Sequence, residues 1–389
     1  MPLCDLNEFL RLSEVLNLQL SVTSSGGANI ASVIMHRKIL PKPEWDILLK
    51  VLSYLVSAYG QRRRRLGPLA VLHPLRATAL LARAQKKLTL LDLLTCLSHD
   101  KLEDLTPVAL GEAQWNQLET GFLAMLKSID PKDEWYLMER LDWLTRGSGY
   151  TYFQYIQRML SHASSTPELV RIKLADRLDN TLDMHVELED PMQGIDFFAT
   201  IFQILFVSAL PDHKSDLPHP PSSPLSGAER LYQLFKTMVL LSMVRQKKAT
   251  DDDETAFILF HELAMASLKE AQRIVLHIFD YHQKDRKKQR AILLDVMTSA
   301  QNGAVHKMAL PRSEAKLQGL FITRFREVNS TQRKESLAQM YQDKELMVEA
   351  ALAFIIIFQS FLVDPQYHVQ GITNDTFQGP PPGGSIQGG

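Results

Sequence analysis

The sequence predicts an all-α protein, a helical bundle followed by a second helical region. Three observations carry this prediction. Long segments rich in Leu, Ala, Lys, Glu, Gln and Arg repeat their apolar residues at helical spacing. The short alternating runs of Val, Ile and Thr that mark strands are scarce. Breaking residues concentrate in three stretches: Ser21–Ala28 (SVTSSGGA), Pro211–Gly227 (PDHKSDLPHPPSSPLSG) and the segment from Gly371 onward.

In chain order, the periodicity predicts helices over 5–17, 43–60, 74–86, 89–100, 133–146, 150–163, 167–186 and 193–209. After the proline-rich break it predicts 227–247, 253–283, 285–301, 312–327, 331–343 and 345–362. Five prolines among Ser and Asp cannot continue a helix, so 211–227 reads as a linker. The expected organisation is an N-terminal helical extension (1–40), a helical domain (41–210), the linker (211–227), a C-terminal helical region (228–365) and a tail (366–389). From Gly371 the tail has almost nothing to bury and reads as disordered. There is no internal repeat.

Composition narrows the function classes. The 389 residues are 45% hydrophobic and 22% charged, an ordinary globular balance. A net charge of −1 gives no global field toward nucleic acid or acidic membranes. Cys4 and Cys96 lie far apart and suggest reduced thiols in a cytoplasmic protein. The N-terminus MPLCDLNEFL lacks a secretory pattern. The two most apolar stretches, Phe197–Leu210 and Ala350–Val363, hold 14 residues each, short of the roughly 20 that span a bilayer.

The chemistry concentrates before the linker. His73 precedes Pro74, which suits the first turn of a helix. The apolar run Leu88–Leu97 ends in Ser98-His99-Asp100-Lys101-Leu102-Glu103-Asp104. Further on lies Lys173-Leu174-Ala175-Asp176-Arg177-Leu178-Asp179-Asn180. On a helix, residues four apart share a face, which pairs His99 with Glu103, Asp100 with Asp104 and Asp176 with Asn180. Two imidazoles and two carboxylates make a mixed N/O set that suits Mn2+, Fe2+, Zn2+ or Mg2+, and the sequence does not choose among them. Glu103 and Asp104 could position and deprotonate a water beside such an ion. Asp176 sits among Leu174, Ala175 and Leu178, where a buried carboxylate needs a compensating partner.

Other candidates read more plainly. Alone, His99-Asp100 would be a capping pair, Asp176 a partner of Arg171 or Arg177, and Asn180 a cap. The run Arg62–Arg65 has no interleaved aromatics, so a phosphate-facing or solvated role is favoured over nucleic acid. His261-Glu262 is not followed by a second His at protease spacing. His277 and His282 read as surface histidines and Cys96 as a packed thiol.

Taken together, Arg64 with Gly67, His73-Pro74, His99-Asp100-x-x-Glu103-Asp104 and Lys173-Leu174-Ala175-Asp176-x-x-x-Asn180 resemble the HD-domain hydrolases of the RelA/SpoT type, which remove the 3′-pyrophosphate of (p)ppGpp. The resemblance covers about residues 40–190. It implies an HD-type bundle in which His73, His99, Asp100 and Asp176 hold the metal, Mn2+ in the family. It also implies that Glu103 and Asp104 orient the attacking water and relay a proton, that Arg64 and Arg65 contact the nucleotide, and that Asn180 holds ribose or phosphate. Lys173, with the two arginines, is expected to offset phosphate charge. Tyr150–Arg158 resembles a helix that precedes the last motif in small stand-alone members. Pro68-Leu69-Ala70 stands where the family has Glu-Pro-Tyr, and a Lys follows His-Asp. Residues 225–365 read as helical without a phosphate-binding glycine loop, so no synthetase activity is expected.

The sequence thus predicts a metal-dependent phosphohydrolase whose partner is a nucleotide. Two alternatives stay open. One is a non-catalytic nucleotide-binding or regulatory module whose C-terminal helices contact a partner or a second copy. The other is a nucleotide monophosphatase.

Overall fold

The computed structural model is all-α, as the sequence predicts. It describes residues 3–21, 26–64, 68–147, 149–184, 196–207, 227–309 and 329–372. Among these there is no β-strand, only an isolated antiparallel bridge between Arg63 and Leu69. The chain forms two compact units that do not follow chain order. The first comprises Met1–Arg146, Arg158–Leu188 and Ala249–Leu263; the second comprises Gly147–Gln157, Glu189–Lys248 and Ala264–Gly389.

In the first unit, α1 (Leu6–Ser21), α2 (Gly26–Met35), α3 (Lys42–Tyr59), α4 (Leu72–Ala84) and α5 (Leu90–Ser98) are followed by α6 (Lys101–Asp104), α7 (Pro107–Leu110), α8 (Glu112–Leu126) and α9 (Pro131–Leu144). Two helices, α10 (Tyr152–His162) and, later, α14 (Glu254–Tyr281), contribute residues to both units, and α11 (Glu168–Leu182) lies in the first. The core joins Leu48, Leu52 and Leu55 of α3 to Leu75 and Ala79 of α4 and to Leu93 and Leu97 of α5. These positions repeat at three and four residues; α3 buries one stripe, whereas α4 is buried at every position except Arg83. Local chemistry sets the ends. Thr89 accepts from the Asp92 amide at 3.1 Å while the Asp92 side chain accepts from Thr89 N, a reciprocal cap on α5. Gly60 closes α3 at a φ of 53°, a backbone region that costs glycine little. The segment Ala249–Leu263 is tied into this unit by Arg171, whose Nε lies 2.6 Å from Asp253 Oδ2.

Four helices have no counterpart in the sequence expectation: the short α6 and α7, and the longer α2 and α8. Part of Ser21–Ala28, expected as a loop, is helical: α1 runs to Ser21 and α2 starts at Gly26, while 22–25 lie outside the described residues. Gly26, Gly27 and the β-branched Ile30, Val33 and Ile34 disfavour a helix locally. Burial of Ile30, Ala31, Ile34 and Met35 overrides that preference. Similarly, α8 carries Asn116, Thr120 and Gly121, which dilute its signal, yet it buries Phe122, Met125 and Leu126. Its anchor is Lys101, the residue that follows His99-Asp100. Lys101 is buried, reaches Glu119 Oε2 at 2.6 Å and lies 4.6 Å over the Phe122 ring. Cys96 packs as expected, and burial pushes its thiol up to about 12.

The second unit holds α12 (Phe197–Phe206), α13 (Gly227–Gln246), α15 (Arg286–Gln301), a 3₁₀ turn (Ala304–Ala309), α16 (Ser330–Gln342) and α17 (Lys344–Val363). By length and composition α17 could cross a membrane, but 72% of its apolar window is buried inside the protein. It packs on α13, and Arg245 caps it through the carbonyl of Phe361 at 2.9 Å. Residues 366–372, expected in the tail, also pack: Val369 N donates to Ser242 Oγ at 3.0 Å, and Val369 and Ile372 are buried. The expected linker up to residue 226, the expected helix 312–327 and the chain after 372 lie outside the described residues.

Phe122 is fully buried, 4.9 Å from the Tyr54 ring and beneath Lys101. Phe122→Ala is expected to destabilise the first unit by about 3–5 kcal/mol, read as a lower urea midpoint. An unchanged midpoint would mean α8 contributes nothing to the core.

Candidate functional site

The site grows from α4, the turn between α5 and α6, and α11. The helices α4 and α11 pack side by side. Their facing sides are polar: α4 contributes His73 and Arg76, and α11 contributes Asp176, Asp179, Asn180 and Asp183. Positions 0, 3, 4 and 7 of a helix share a face, so this run of α11 and its C-cap Asp183 is a single polar stripe, buried except at half-buried Asn180. His99 and Asp100 do not lie mid-helix. His99 is the C-cap of α5 and Asp100 the N-cap of α6, so the chain turns between them. That turn lets adjacent residues aim at one centre.

Four of the expected residues converge. The Nε2 atoms of His73 and His99 lie 3.2 Å apart. Asp100 approaches His73 Nε2 through Oδ2 at 3.2 Å and His99 Nε2 through Oδ1 at 3.3 Å. Asp176 presents Oδ1 to the same atoms, at 3.3 Å from His73 and 3.7 Å from His99. One donor atom each of His73, His99 and Asp176 lie within 4.8 Å of one another, and all three residues are buried. Donors held about 2.1 Å from one ion stand roughly 3.0–3.4 Å apart, a range that these distances meet except that from His99 to Asp176, which is 3.7 Å.

The hydrogen bonds explain which atoms face inward. His73 Nδ1 donates to Asp179 Oδ2 at 2.6 Å and His99 Nδ1 donates to the Cys96 carbonyl at 2.7 Å. Each ring spends its Nδ1 proton outward, which turns both Nε2 lone pairs toward two carboxylates. A cage of acceptors needs a cation or extra protons. Protons alone meet the need in part. Burial and Arg64 oppose charge on His73, but Asp179, Asp100 and Asp176 outweigh them and hold its pKa well above the ordinary value. Burial likewise opposes charge on His99, but Asp100 and Asp176 raise its pKa. Burial disfavours the Asp176 anion, but Lys173 and the two imidazoles overcome this and keep its pKa well below the carboxylate range. The group His73, His99 and Asp176 can therefore hold a metal ion, with Asp100 facing the same centre.

Most of the remaining expected residues are described, and each is engaged by the protein itself. Glu103 Oε1 accepts from the Arg146 amide at 2.7 Å, and Asp104 Oδ2 accepts from the Tyr59 hydroxyl at 3.1 Å. The i, i+4 pairing of Asp100 with Asp104 appears in the backbone, where Asp104 N donates to Asp100 O at 2.8 Å. Burial, aided by Asp100, raises both carboxyl pKa values. Lys173 does not stand apart as a phosphate contact; its ammonium lies 2.6 Å from Asp176 Oδ2, the oxygen turned away from the imidazoles. Asn180 Nδ2 donates to Asp176 Oδ1 at 2.5 Å and to its carbonyl at 3.0 Å. Arg64 is held where residues 62–64 fold back on 68–70, through Arg64 N to Pro68 O and Ala70 N to Arg62 O, both 2.8 Å. Half-buried, it donates to Asn180 Oδ1 at 2.8 Å and Asp183 Oδ2 at 3.1 Å. Arg65 and Gly67 lie outside the described residues.

Sequence reading missed Arg76, Asp179 and Asp183. Arg76 Nε donates to Asp179 Oδ1 at 2.8 Å, and its Nη2 donates to Asp179 Oδ2 at 3.1 Å and lies 2.7 Å from Asp183 Oδ1. A signal was available: His73 and Arg76 are three apart, as are Asp176 and Asp179, so each motif residue has a charged neighbour on its own helix face. The histidines His277 and His282 are exposed, as expected.

A metal ion taken up here must displace protons that the acidic surroundings hold on raised imidazoles. Binding is therefore expected to release protons, and affinity to tighten as pH rises above the ordinary imidazole value of about 6.5. Calorimetric titration with Mn2+ in buffers of different ionisation enthalpy measures this; affinity independent of pH would contradict the cage described. Comparison with known protein families, curated proteins and solved structures finds no match to this chain.

Proposed function

We propose that the first unit is a divalent-metal phosphohydrolase of the HD type, cleaving a phosphate or pyrophosphate ester of a nucleotide. The 3′-pyrophosphate of a (p)ppGpp-like guanosine nucleotide is the leading substrate class. One observation carries the reading: two imidazoles and two carboxylates from three separate stretches of chain face one centre, with each Nε2 3.2–3.7 Å from the carboxylate oxygens. They are the residues that the motif order singles out. Mn2+ is the ion that the resemblance implies. When bound, the ion supplies Lewis-acid polarisation of the phosphoryl group and acidifies water.

The chain's own residues supply the rest. Glu103 and Asp104 each commit one carboxylate oxygen to a hydrogen bond, to Arg146 N and Tyr59 Oη. The other oxygen of each would orient a water and accept its proton. Arg64 and Asn180 line the α11 side, where a guanidinium offsets phosphate charge. Lys173 keeps Asp176 anionic rather than meeting substrate first. The test is to incubate the full chain with a nucleotide panel, with and without Mn2+. Metal-dependent release of phosphate or pyrophosphate is expected, and His99→Ala and Asp100→Ala should reduce it to background with helical content unchanged. No metal-dependent release from any nucleotide overturns the reading.

A second reading, nucleotide binding without turnover, is favoured by one observation. Arg64, Asn180 and Lys173 are all engaged with side chains of α11 itself. Saturable nucleotide binding without product release would select it.

A further inference from the structure

Resting on the metal-site reading above, we propose that Asp179, clamped by Arg76, is a positioning residue that sets how tightly the cage grips its ion. The two imidazoles are oriented by different means. The His99 ring is held by a backbone carbonyl, that of Cys96. The His73 ring is held by a side chain, Asp179, at 2.6 Å. Asp179 is in turn fixed on both oxygens by Arg76, at 2.8 and 3.1 Å, with the Arg64 guanidinium 3.7 Å away. Arg76 cannot rotate out of this clamp. Its Nη2 also meets Asp183 at 2.7 Å, its Nη1 donates to Ser13 Oγ at 3.3 Å, and its guanidinium lies 4.8 Å over the Phe9 ring.

The partners are sealed from solvent: the Asp179 side chain is 0% exposed and that of Arg76 is 2%. A buried ion pair often contributes little net stability compared with an apolar pair of the same size. Holding two helices together would not require one. What an apolar pair cannot do is accept the Nδ1 proton of His73. Asp179 does so with a charged acceptor, which fixes the ring with Nε2 toward the cage and raises the donor strength of that nitrogen. Partners of this kind typically change metal affinity by about 10–100-fold.

Three forms of the full chain separate positioning from scaffolding: wild type, the isosteric Asp179→Asn, and the double variant Arg76→Met with Asp179→Leu. Circular dichroism reports the fold, competition against a chromophoric chelator reports Mn2+ affinity, and proton NMR reports the short His73 Nδ1–H bond as a strongly downfield resonance, assigned by His73→Gln. The double variant is expected to keep its helical content, lose that resonance and bind Mn2+ about 10–100-fold more weakly. Asp179→Asn, which keeps an acceptor but no charge, is expected to weaken binding by about 10-fold, and it carries the test if the double variant does not fold. Folded variants that bind Mn2+ as tightly as wild type overturn this inference alone. So does a wild-type protein without the downfield resonance. A wild-type protein that binds no Mn2+ overturns the metal reading and this inference with it.

Discussion

Asp179 has no solvent to stabilise its charge, and the candidate site is organised around that constraint. A carboxylate in this position must be met on every side. Arg76 meets it from α4 and His73 meets it through Nδ1, while Arg64 approaches from the loop before α4. Burial pushes its pKa up, but Arg76 and His73 together hold it below the usual carboxylate range. The consequence is geometric. Because α4 must deliver both an imidazole and a guanidinium to one carboxylate, its register and rotation against α11 are set by charge as well as by apolar fit. Once that register is set, the far nitrogen of His73 can only face Asp176, Asp100 and His99.

The cage is the second level of the same argument. Three groups in it have an outward contact satisfied: His73 by Asp179, His99 by Cys96 O, and Asp176 Oδ2 by Lys173. What remains points inward and is electron-rich. Positive charge must compensate it, and the raised imidazole pKa values record how strongly the surroundings demand that charge. The residues expected to meet substrate are part of this support. Arg64 reaches Asn180, and Asn180 reaches the Asp176 oxygen that faces the imidazoles. Two hydrogen bonds thus separate the half-buried guanidinium from the centre, so a change at Arg64 is felt by a cage residue.

The second unit solves its burial problem differently. Its α17 is apolar around most of its circumference and is covered inside the protein, with thirteen of its residues buried. The buried charges here are compact: Glu270 meets Arg230 at 2.5 Å and Arg273 at 3.0 Å, all three within the unit. Such a network is tolerated because each charge faces an opposite one, not because ion pairs stabilise strongly.

The sequence by itself determined the fold class and the identity of the converging residues. Apolar spacing of three and four specified helices such as α3, α11, α13 and α14. The motif order of His73-Pro74, His99-Asp100 and Lys173-Leu174-Ala175-Asp176 singled out His73, His99, Asp100 and Asp176 through its resemblance to HD-type hydrolases. Local signals failed where propensity and burial disagreed: α2 begins on two glycines, α8 carries Gly121 and Asn116, and both form because tertiary packing rewards them. Only the tertiary structure decided what Lys173, Arg76 and Asp179 do. A lysine three residues before an aspartate could face phosphate or that aspartate, and an arginine three residues after a histidine could face solvent. The choice depends on which helix lies opposite and how deeply the pair is buried. That is a long-range property, since His73 and Asp179 are 106 residues apart in sequence and 2.6 Å apart in the fold.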